Sequence, residues 1–153
     1  MSLTKAPTET DRALALFVKL MRAQRAVLAA VEPSILATGL TVTQFGVLEA
    51  LLHKGPLSHG ELQRKVLTSP ANLTDVIDKL ERRGLVVRCR AEHDARRVGV
   101  SLTHAGQALI AGAFSTHAAA MLTAMAPLSA DEQDHLAWLL RKLGLALEAP
   151  APR

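Results

Sequence analysis

The sequence predicts a mainly α-helical fold with one small β-hairpin. Three observations predict it. Apolar residues recur at helical spacing through most of the 153 residues. At several breaks in this pattern a Ser or Thr stands three residues before a Gln or Glu, which is the spacing of a helix-opening capping box. Near residue 92 the helical pattern gives way to two short segments rich in β-branched residues. The length suits one domain with its own core.

The first half of the chain predicts a long helix and then short ones. Apolar positions at helical spacing predict a helix over residues 10–31, which Pro33 ends. A capping box of Thr41 and Gln44 opens a helix over 45–53, and Gly55-Pro56 ends it. A second box, of Ser58 and Glu61, opens a short helix that reaches residue 66.

A third short helix is predicted over residues 70–83. Ser69 is its N-cap, and Pro70 occupies the first helical position, where the missing amide hydrogen costs nothing. Gly84 follows as the C-terminal cap. One face of this helix is apolar and is expected to be buried: Leu73, Val76, Ile77 and Leu80.

The second half predicts a hairpin and two more helices. Residues 85–90 and 98–102 are the predicted strands, and the loop between them holds Arg90, Glu92, His93, Asp94, Arg96 and Arg97. Thr103 starts a helix to about residue 125, and a box of Ser129 and Glu132 opens a last helix to residue 147. The predicted order is a helix, three short helices, a hairpin and two helices, which is the arrangement of a winged helix-turn-helix protein.

The positive charge is concentrated beside and within the predicted hairpin. The net charge is +4, and residues 82–97 contain six arginines against two acidic residues. The remaining residues carry twelve basic and twelve acidic side chains, so the whole excess lies in this one segment. A basic patch favours a polyanionic partner. The single cysteine, Cys89, and the absence of a secretory signal predict a cytoplasmic protein.

The helix after Ser69 has the features of a DNA recognition helix. Such a helix buries one face and presents small polar groups at its N-terminal end to the major groove. The candidate residues are Ala71, Asn72, Thr74 and Asp75. Asn72 can pair with adenine, Thr74 can contact a thymine methyl or a phosphate, and Asp75 can accept from cytosine or repel the backbone. Taken alone, the helix fits an ordinary surface helix equally well.

The charged hairpin favours the DNA interpretation. Arg96 or Arg97 at its tip would fit the narrow minor groove, and Asp94 could hold a guanidinium in position. The alternative is a solvated charged loop. Further contacts to phosphates are predicted from the capped helix ends at Thr41, Ser58 and Ser69, and from Arg82 and Arg88. Lys79 is also assigned to the DNA-binding residues. The predicted partner is double-stranded DNA.

Three segments carry a family resemblance: "LTVTQFGVLEAL", "LTSPANLTDVIDKLERRGLVVR" and "DARRVGVSLTHAG". Over residues 40–106 the chain resembles the multiple-antibiotic-resistance regulator (MarR) family of bacterial transcription factors. The hairpin motif of that family maps onto Asp94, Arg96, Val100, Leu102 and Thr103. Asp75 departs from the basic or neutral residue of many relatives, and no cysteine lies in the first helix, where the peroxide-sensing branch has its reactive thiol.

The resemblance implies a regulator that a small ligand or an oxidant releases from DNA, and we predict a ligand-responsive repressor. It would bind a pseudo-palindromic operator as a homodimer, with Arg96 in the minor groove. Residues 10–36 and 103–148 would form the dimerisation region, 37–102 the DNA-binding region, and 1–9 and 149–153 tails. The effector would occupy the cleft between these regions, lined by Phe17, Met21, Phe45, His53 and Phe114. The sequence does not identify this small molecule.

The apolar composition of the last two helices has alternative explanations. Residues 98–130 contain no Lys, Arg, Asp or Glu, a length that would permit a membrane span. Their His, Gln, Thr, Ala and Gly content instead favours close helix packing, so no membrane partner is predicted. The last helix has more apolar residues than one face can hold, which favours burial against a second copy over packing within the monomer.

No cofactor, metal site or catalytic constellation is predicted. None of the six histidines lies three or four residues from another, so they are assigned surface or capping roles. Cys89 lies between Arg88 and Arg90, which would favour its thiolate and permit redox sensing. Two alternatives remain open: a winged-helix protein-interaction module that does not bind DNA, and the dimerisation domain of an enzyme.

Overall fold

The described residues form six helices and three strands, in an order that confirms the predicted fold class. The computed structural model describes residues 6–66, 68–91 and 94–148, with backbone alone at 90, 91, 94–98 and 148. The elements are α1 (Glu9–Leu36), α2 (Val42–Lys54), β1 (Leu57–Ser58), α3 (His59–Val66), α4 (Pro70–Arg82), β2 (Val86–Ala91), β3 (Asp94–Leu102), α5 (His104–Met125) and α6 (Ala130–Glu148).

The first helix continues past the proline that was expected to end it. Proline has no amide hydrogen, so the carbonyl of residue 29 loses its helical partner at Pro33. The helix nevertheless continues to Leu36, because Val31 and Ile35 lie four residues apart on one face and both are buried. A single missing hydrogen bond does not outweigh this burial.

The helix starts predicted from capping residues are confirmed. The hydroxyl of Thr41 accepts from the Gln44 amide at 3.2 Å, and the Gln44 side chain accepts from the Thr41 amide at 3.0 Å. The side chains of Ser69 and Thr103 likewise cap α4 and α5. Each cap provides a partner for an amide that has no acceptor within its own helix.

The sheet is larger than the predicted hairpin. Its strand order is β1-β3-β2, and the unpredicted strand β1 pairs with β3 through Leu57 opposite Val100. Two residues are too few to show a strand periodicity in sequence. Strand β3 begins at Asp94 rather than at residue 98, so the backbones of Arg96 and Arg97 belong to a strand and not to a loop. Strand pairing is a property of the backbone, which a search for β-branched side chains cannot detect.

One hydrophobic core joins the end of α1, the short helices, the sheet and the first half of α5. The four apolar residues predicted for one face of α4 are all buried there: Leu73, Val76, Ile77 and Leu80. Burial of this face fixes the rotation of α4 about its axis. The opposite face of α4 is therefore held toward solvent.

The last two helices leave much apolar surface uncovered in the single chain. No residue from 130 to 147 on α6 is buried. Large exposed side chains on this helix include Trp138 at 57% and Leu147 at 77%. Among the described helices, α5 is the one long and apolar enough to cross a membrane by length and composition. Monomeric proteins rarely expose so much contiguous apolar surface.

Candidate nucleic-acid interface

The leading end of α4 presents the polar side chains predicted for base contacts. Ala71, Asn72, Thr74 and Asp75 are all exposed. They lie in the first turns after the Ser69 cap, whose hydroxyl accepts from the Asn72 amide at 3.3 Å. Together with α3, the helix before it, α4 forms a helix-turn-helix with an exposed polar end.

A histidine that was not predicted to belong to this site contacts one of these residues. The Thr74 hydroxyl donates to the Pro70 carbonyl at 3.1 Å. The same hydroxyl oxygen lies within hydrogen-bonding distance of Nε2 of His59, also at 3.1 Å. His59 begins α3, and its contact with Thr74 spans fifteen residues of sequence. No periodicity in a single sequence predicts such a contact.

The aspartate on the exposed face of α4 is paired within its own helix. Nζ of Lys79 lies 2.6 Å from Oδ2 of Asp75, one helical turn away, and both side chains are about half exposed. An exposed pair of this kind contributes roughly 0.3–0.5 kcal/mol to stability. Its main consequence is electrostatic, because the positive charge of Lys79 offsets the negative charge of the Asp75 carboxylate, which then repels a phosphate less.

Two arginines of the basic segment are engaged within the protein. Arg83 donates to the carbonyl of Gly39 at 3.0 Å. Arg88, on β2, donates to the carboxylates of Asp78 and Glu81 on α4. The hydrogen bond to Asp78 raises the pKa of Arg88 above its usual value, so the guanidinium remains charged. Not all of the charge excess seen in the sequence is therefore available to a partner.

The side chains predicted for the minor groove are not among those described. The backbones of Asp94, Arg96 and Arg97 lie in β3, but their side chains fall outside the described residues. The strand register shifts between Arg90 and Ala91, which pair with Val98 and Asp94. Residues 95–97 thus lie where the two strands are locally out of register.

The three capped helix ends differ in what they offer to an anion. Thr41 and Ser69 are exposed, and their hydroxyls cap α2 and α4. At Ser58 the Glu61 carboxylate accepts from both the amide, at 2.8 Å, and the hydroxyl, at 2.7 Å. A carboxylate already placed at this helix start opposes a phosphate there.

The five predicted effector residues do not form one continuous site in the single chain. His53 and Phe114 are in contact, with ring centroids 5.5 Å apart. Phe17 and Met21 are exposed on α1. Phe45 is a core residue with 1% exposure, so it offers almost no surface to a ligand. A cavity of about 300 Å³ between the end of α2, β3 and the start of α5 contains none of the five.

One histidine has a structural role that the sequence analysis missed. His117 was assigned a surface or capping role, but only 7% of it is exposed. Its Nδ1 lies 3.1 Å from the Ser34 hydroxyl, and its ring packs against Phe45 with centroids 4.6 Å apart. A buried imidazole is tolerated because its polar atom has a partner. His117 thereby joins α5 to α1 and α2.

Cys89 lies half-buried in β2, opposite Gly99 on β3. Successive side chains of a strand point to opposite faces, so Arg88 projects away from the thiol next to it in sequence. The Arg88 guanidinium is also bound by two carboxylates. The argument that this arginine activates the thiol therefore loses its structural basis.

The comparisons with known proteins agree with this architecture. The exposed end of α4 and the adjoining hairpin define a winged helix-turn-helix protein of the DNA-binding class. The model of the MarR family matches residues 40–98. The HTH-type transcriptional regulator MhqR of Bacillus subtilis is 33% identical over 89% of this chain and 94% of its own length. YkoM, an uncharacterized HTH-type transcriptional regulator of the same organism, is 36% identical over 95% of this chain and 94% of its own length.

A solved relative has the same fold. Bordetella bronchiseptica BpsR, whose DNA binding is regulated by 6-hydroxynicotinic acid, is 28% identical with a TM-score of 0.75. The alignment covers 85% of this chain and 98% of BpsR. The chain belongs to the MarR family, which consists of transcription regulators and not of enzymes. It is a DNA-binding transcriptional regulator.

Proposed function

We propose that this chain is a ligand-responsive repressor that binds pseudo-palindromic operator DNA as a homodimer in the cytoplasm. The observation that carries the proposal is the arrangement of α4. Its apolar face is buried, its polar leading end is exposed, and its second half contacts β2 of the hairpin through Arg88. A helix held in this way can enter a major groove while the hairpin reaches the neighbouring minor groove.

The proposed contacts divide into base readout and phosphate binding. Ala71, Asn72, Thr74 and Asp75 would face base edges in the major groove. Lys79, Arg82 and the capped ends at Thr41 and Ser69 would lie along the phosphates, whereas the Glu61 carboxylate at Ser58 disfavours an anion there. Arg96 and Arg97, with Asp94 as their partner, would enter the minor groove. The DNA-binding region in this proposal is 37–102.

The proposed dimer region consists of residues 10–36 and 103–148. The uncovered apolar surface of α6 and the first half of α1 supports this assignment, because a second copy would bury it. A symmetric dimer would place one α4 per protomer in successive major grooves, about 34–36 Å apart. Operator symmetry would follow from the symmetry of the protein.

The decisive experiment is a gel-shift titration with the DNA upstream of the chain's own gene. We expect one retarded species that resists competition by unrelated duplex. The measurement also separates the alternatives, because a protein-interaction module would show only weak, sequence-independent retardation. Binding that unrelated duplex competes away at equal concentration would contradict the repressor assignment.

The hairpin contact can be tested by replacing Arg96 with alanine. We expect weaker operator binding and a smaller salt dependence, with the slope of log K against log salt less negative by about 0.9 for the loss of one cationic contact to DNA. The measurement is operator affinity over a series of salt concentrations.

The matched control is Arg12→Ala, which removes the same charge from the start of α1, outside the proposed DNA contacts; because residue 12 lies in the proposed dimer region, the assembly state of this variant is measured as well. This variant should retain the wild-type slope. An unchanged slope in Arg96→Ala, or an equal decrease in both variants, would exclude a specific role for the hairpin.

The effector is proposed to be a small aromatic acid. Two observations support this class. BpsR responds to such an acid, 6-hydroxynicotinic acid, and in this chain His53 and Phe114 place an imidazole beside a phenyl ring, both exposed. A ring could stack on Phe114 while its carboxylate approaches His53. We expect 6-hydroxynicotinic acid or a related acid to release the operator.

The effector test measures DNA release by a series of aromatic acids, each with its ring-matched amide as control. His53→Ala should raise the concentration needed for release without changing operator affinity in the absence of acid. Equal potency of acids and amides would exclude recognition of the carboxylate. Equal potency toward wild type and His53→Ala would exclude this location.

A further inference from the structure

We propose that Arg88 is a positioning residue, which tethers the hairpin to α4 through Asp78 and Glu81 and so sets the angle between the two DNA-binding elements. This inference rests on the proposed function, and it gives Arg88 a role different from the phosphate contact predicted from sequence. The observation that carries it is a three-part contact between β2 and α4.

The contact uses both arms of the guanidinium and the backbone. Nη1 of Arg88 donates to Glu81, and Nη2 donates to Asp78. The backbone amide of Arg88 also donates to Oε1 of Glu81, at 3.3 Å. A planar fork held at two corners cannot rotate freely, so its orientation is fixed as well as its position.

The position of this tether in the chain explains what it can control. Helix α4 ends at Arg82, and the turn into β2 is made by Gly84 at φ +69°. That turn is closed by hydrogen bonds from Gly84 to the Glu81 carbonyl, at 2.8 Å, and from Leu85 to the Leu80 carbonyl, at 3.0 Å. The turn and the core residues Val86 and Val100 hold the base of the hairpin, and Arg88 provides a second anchor, to α4, beyond that base. This second anchor limits the angle that the outer part of the hairpin makes with α4.

The charges support positioning over phosphate binding. Asp75, Asp78 and Glu81 lie three residues apart along α4 and, with Arg82, line one shallow cleft. Without cationic partners these carboxylates would repel the DNA backbone. Lys79 pairs with Asp75, and Arg88 pairs with the other two. An arginine that moved to a phosphate would leave both carboxylates unpaired beside it.

The exposure of the Arg88 ion pair indicates which measured property will change when the pair is removed. The side chains of Arg88 and Glu81 are each 38% exposed, and exposed ion pairs contribute little to folding stability. The tether should therefore affect DNA affinity and the motion of the hairpin more than the melting temperature.

The first test compares operator affinity and salt slope for Arg88→Lys, Arg88→Gln and the double variant Asp78→Asn, Glu81→Gln. We expect each to lower operator affinity by about tenfold, the scale of one displaced base contact, with an unchanged salt slope. The double variant is the sharpest, because removing two negative charges should strengthen DNA binding on electrostatic grounds alone. Arg82→Gln is the positive control: because Arg82 is a proposed phosphate contact, its loss should make the slope of log K against log salt less negative by about 0.9.

A phosphate contact gives the opposite pattern. Arg88→Lys would then keep most of the operator affinity, Arg88→Gln would make the salt slope less negative, and the double variant would bind operator more tightly than wild type. Any of these three results would overturn the proposal. Combining Arg88→Gln with the double variant should add no further loss if all of them break the same tether.

A second test does not require DNA. In the free protein, Arg88→Gln should speed backbone amide exchange in β2 relative to wild type, because the hairpin loses its second anchor. Unchanged exchange would overturn the tether even if the variant binds operator more weakly. Absence of operator binding by the wild type would count against the proposed function, while the exchange experiment would still decide the role of Arg88.

Discussion

Replacing Leu139 and Leu143 together with glutamate is expected to make the protein monomeric and to lower operator affinity by about three orders of magnitude, toward the non-specific level. The two residues lie four apart, on one face of α6, and are 43% and 42% exposed in the single chain. Burying two unpaired carboxylates in an apolar interface would cost far more than the interface can supply. Sedimentation measures the assembly state, and gel shift measures the affinity.

The matched control for this pair is Arg141→Glu. It changes the net charge by the same amount, but position 141 is two residues from each leucine and faces the other side of α6. This variant should remain dimeric and bind operator as the wild type does. If the protein with both leucines replaced remains a dimer, Leu139 and Leu143 do not lie in the dimer interface. The apolar residues of α6 would then be buried against a different surface.

The sequence predicted local structure well because local structure has local causes. The caps at Thr41 and Ser69 act on amides three residues away, and the buried face of α4 follows from a repeat within one helix. What it missed depends on distant parts of the chain. Strand β1 exists because β3 lies beside it, and α1 continues past Pro33 because Ile35 reaches the core.

The candidate site shows the same division. The exposed leading end of α4 could be read from the pattern, because burial of one face leaves the other to solvent. The contact of Thr74 with His59 and the tether of Arg88 to Asp78 could not, since each joins residues on different elements. A count of charges located the basic segment, but only the folded arrangement shows which of its arginines are already paired.

Phe45 shows how position alone can mislead. It lies in α2, at the junction where the resemblance places an effector cleft, yet its side chain is a core residue packed against His117. A helix at the boundary between two regions has one face toward each region and one toward the core. The sequence shows that Phe45 is apolar, but not which of these directions its side chain takes.

Replacing Gly106 with alanine is expected to destabilise the protein by roughly 3 kcal/mol, at the upper end of overpacking effects. Gly106 lies in the first turn of α5, and a Cβ there would stand 2.0 Å from the carbonyl oxygen of Leu85. That carbonyl accepts from the Thr103 amide at 3.1 Å, and the Thr103 hydroxyl donates to the Gly84 carbonyl at 2.6 Å. Because backbone atoms cannot swing aside, α5 must move away from the turn between α4 and β2, and both hydrogen bonds would weaken.

Gly112→Ala, in the same helix, is the control for this substitution. Within the described part of one chain a Cβ at Gly112 meets no atom within 4 Å. Alanine is favoured over glycine inside a helix by about 0.5–1 kcal/mol, so this variant should be as stable as wild type or slightly more stable. Thermal unfolding of both variants measures the contrast. If Gly106→Ala unfolds at the wild-type temperature, α5 does not approach Leu85 closely in solution, and the hairpin is not fastened to α5 at this point. If it unfolds earlier while Gly112→Ala does not, the close approach, and not helix propensity, is the reason for glycine at 106.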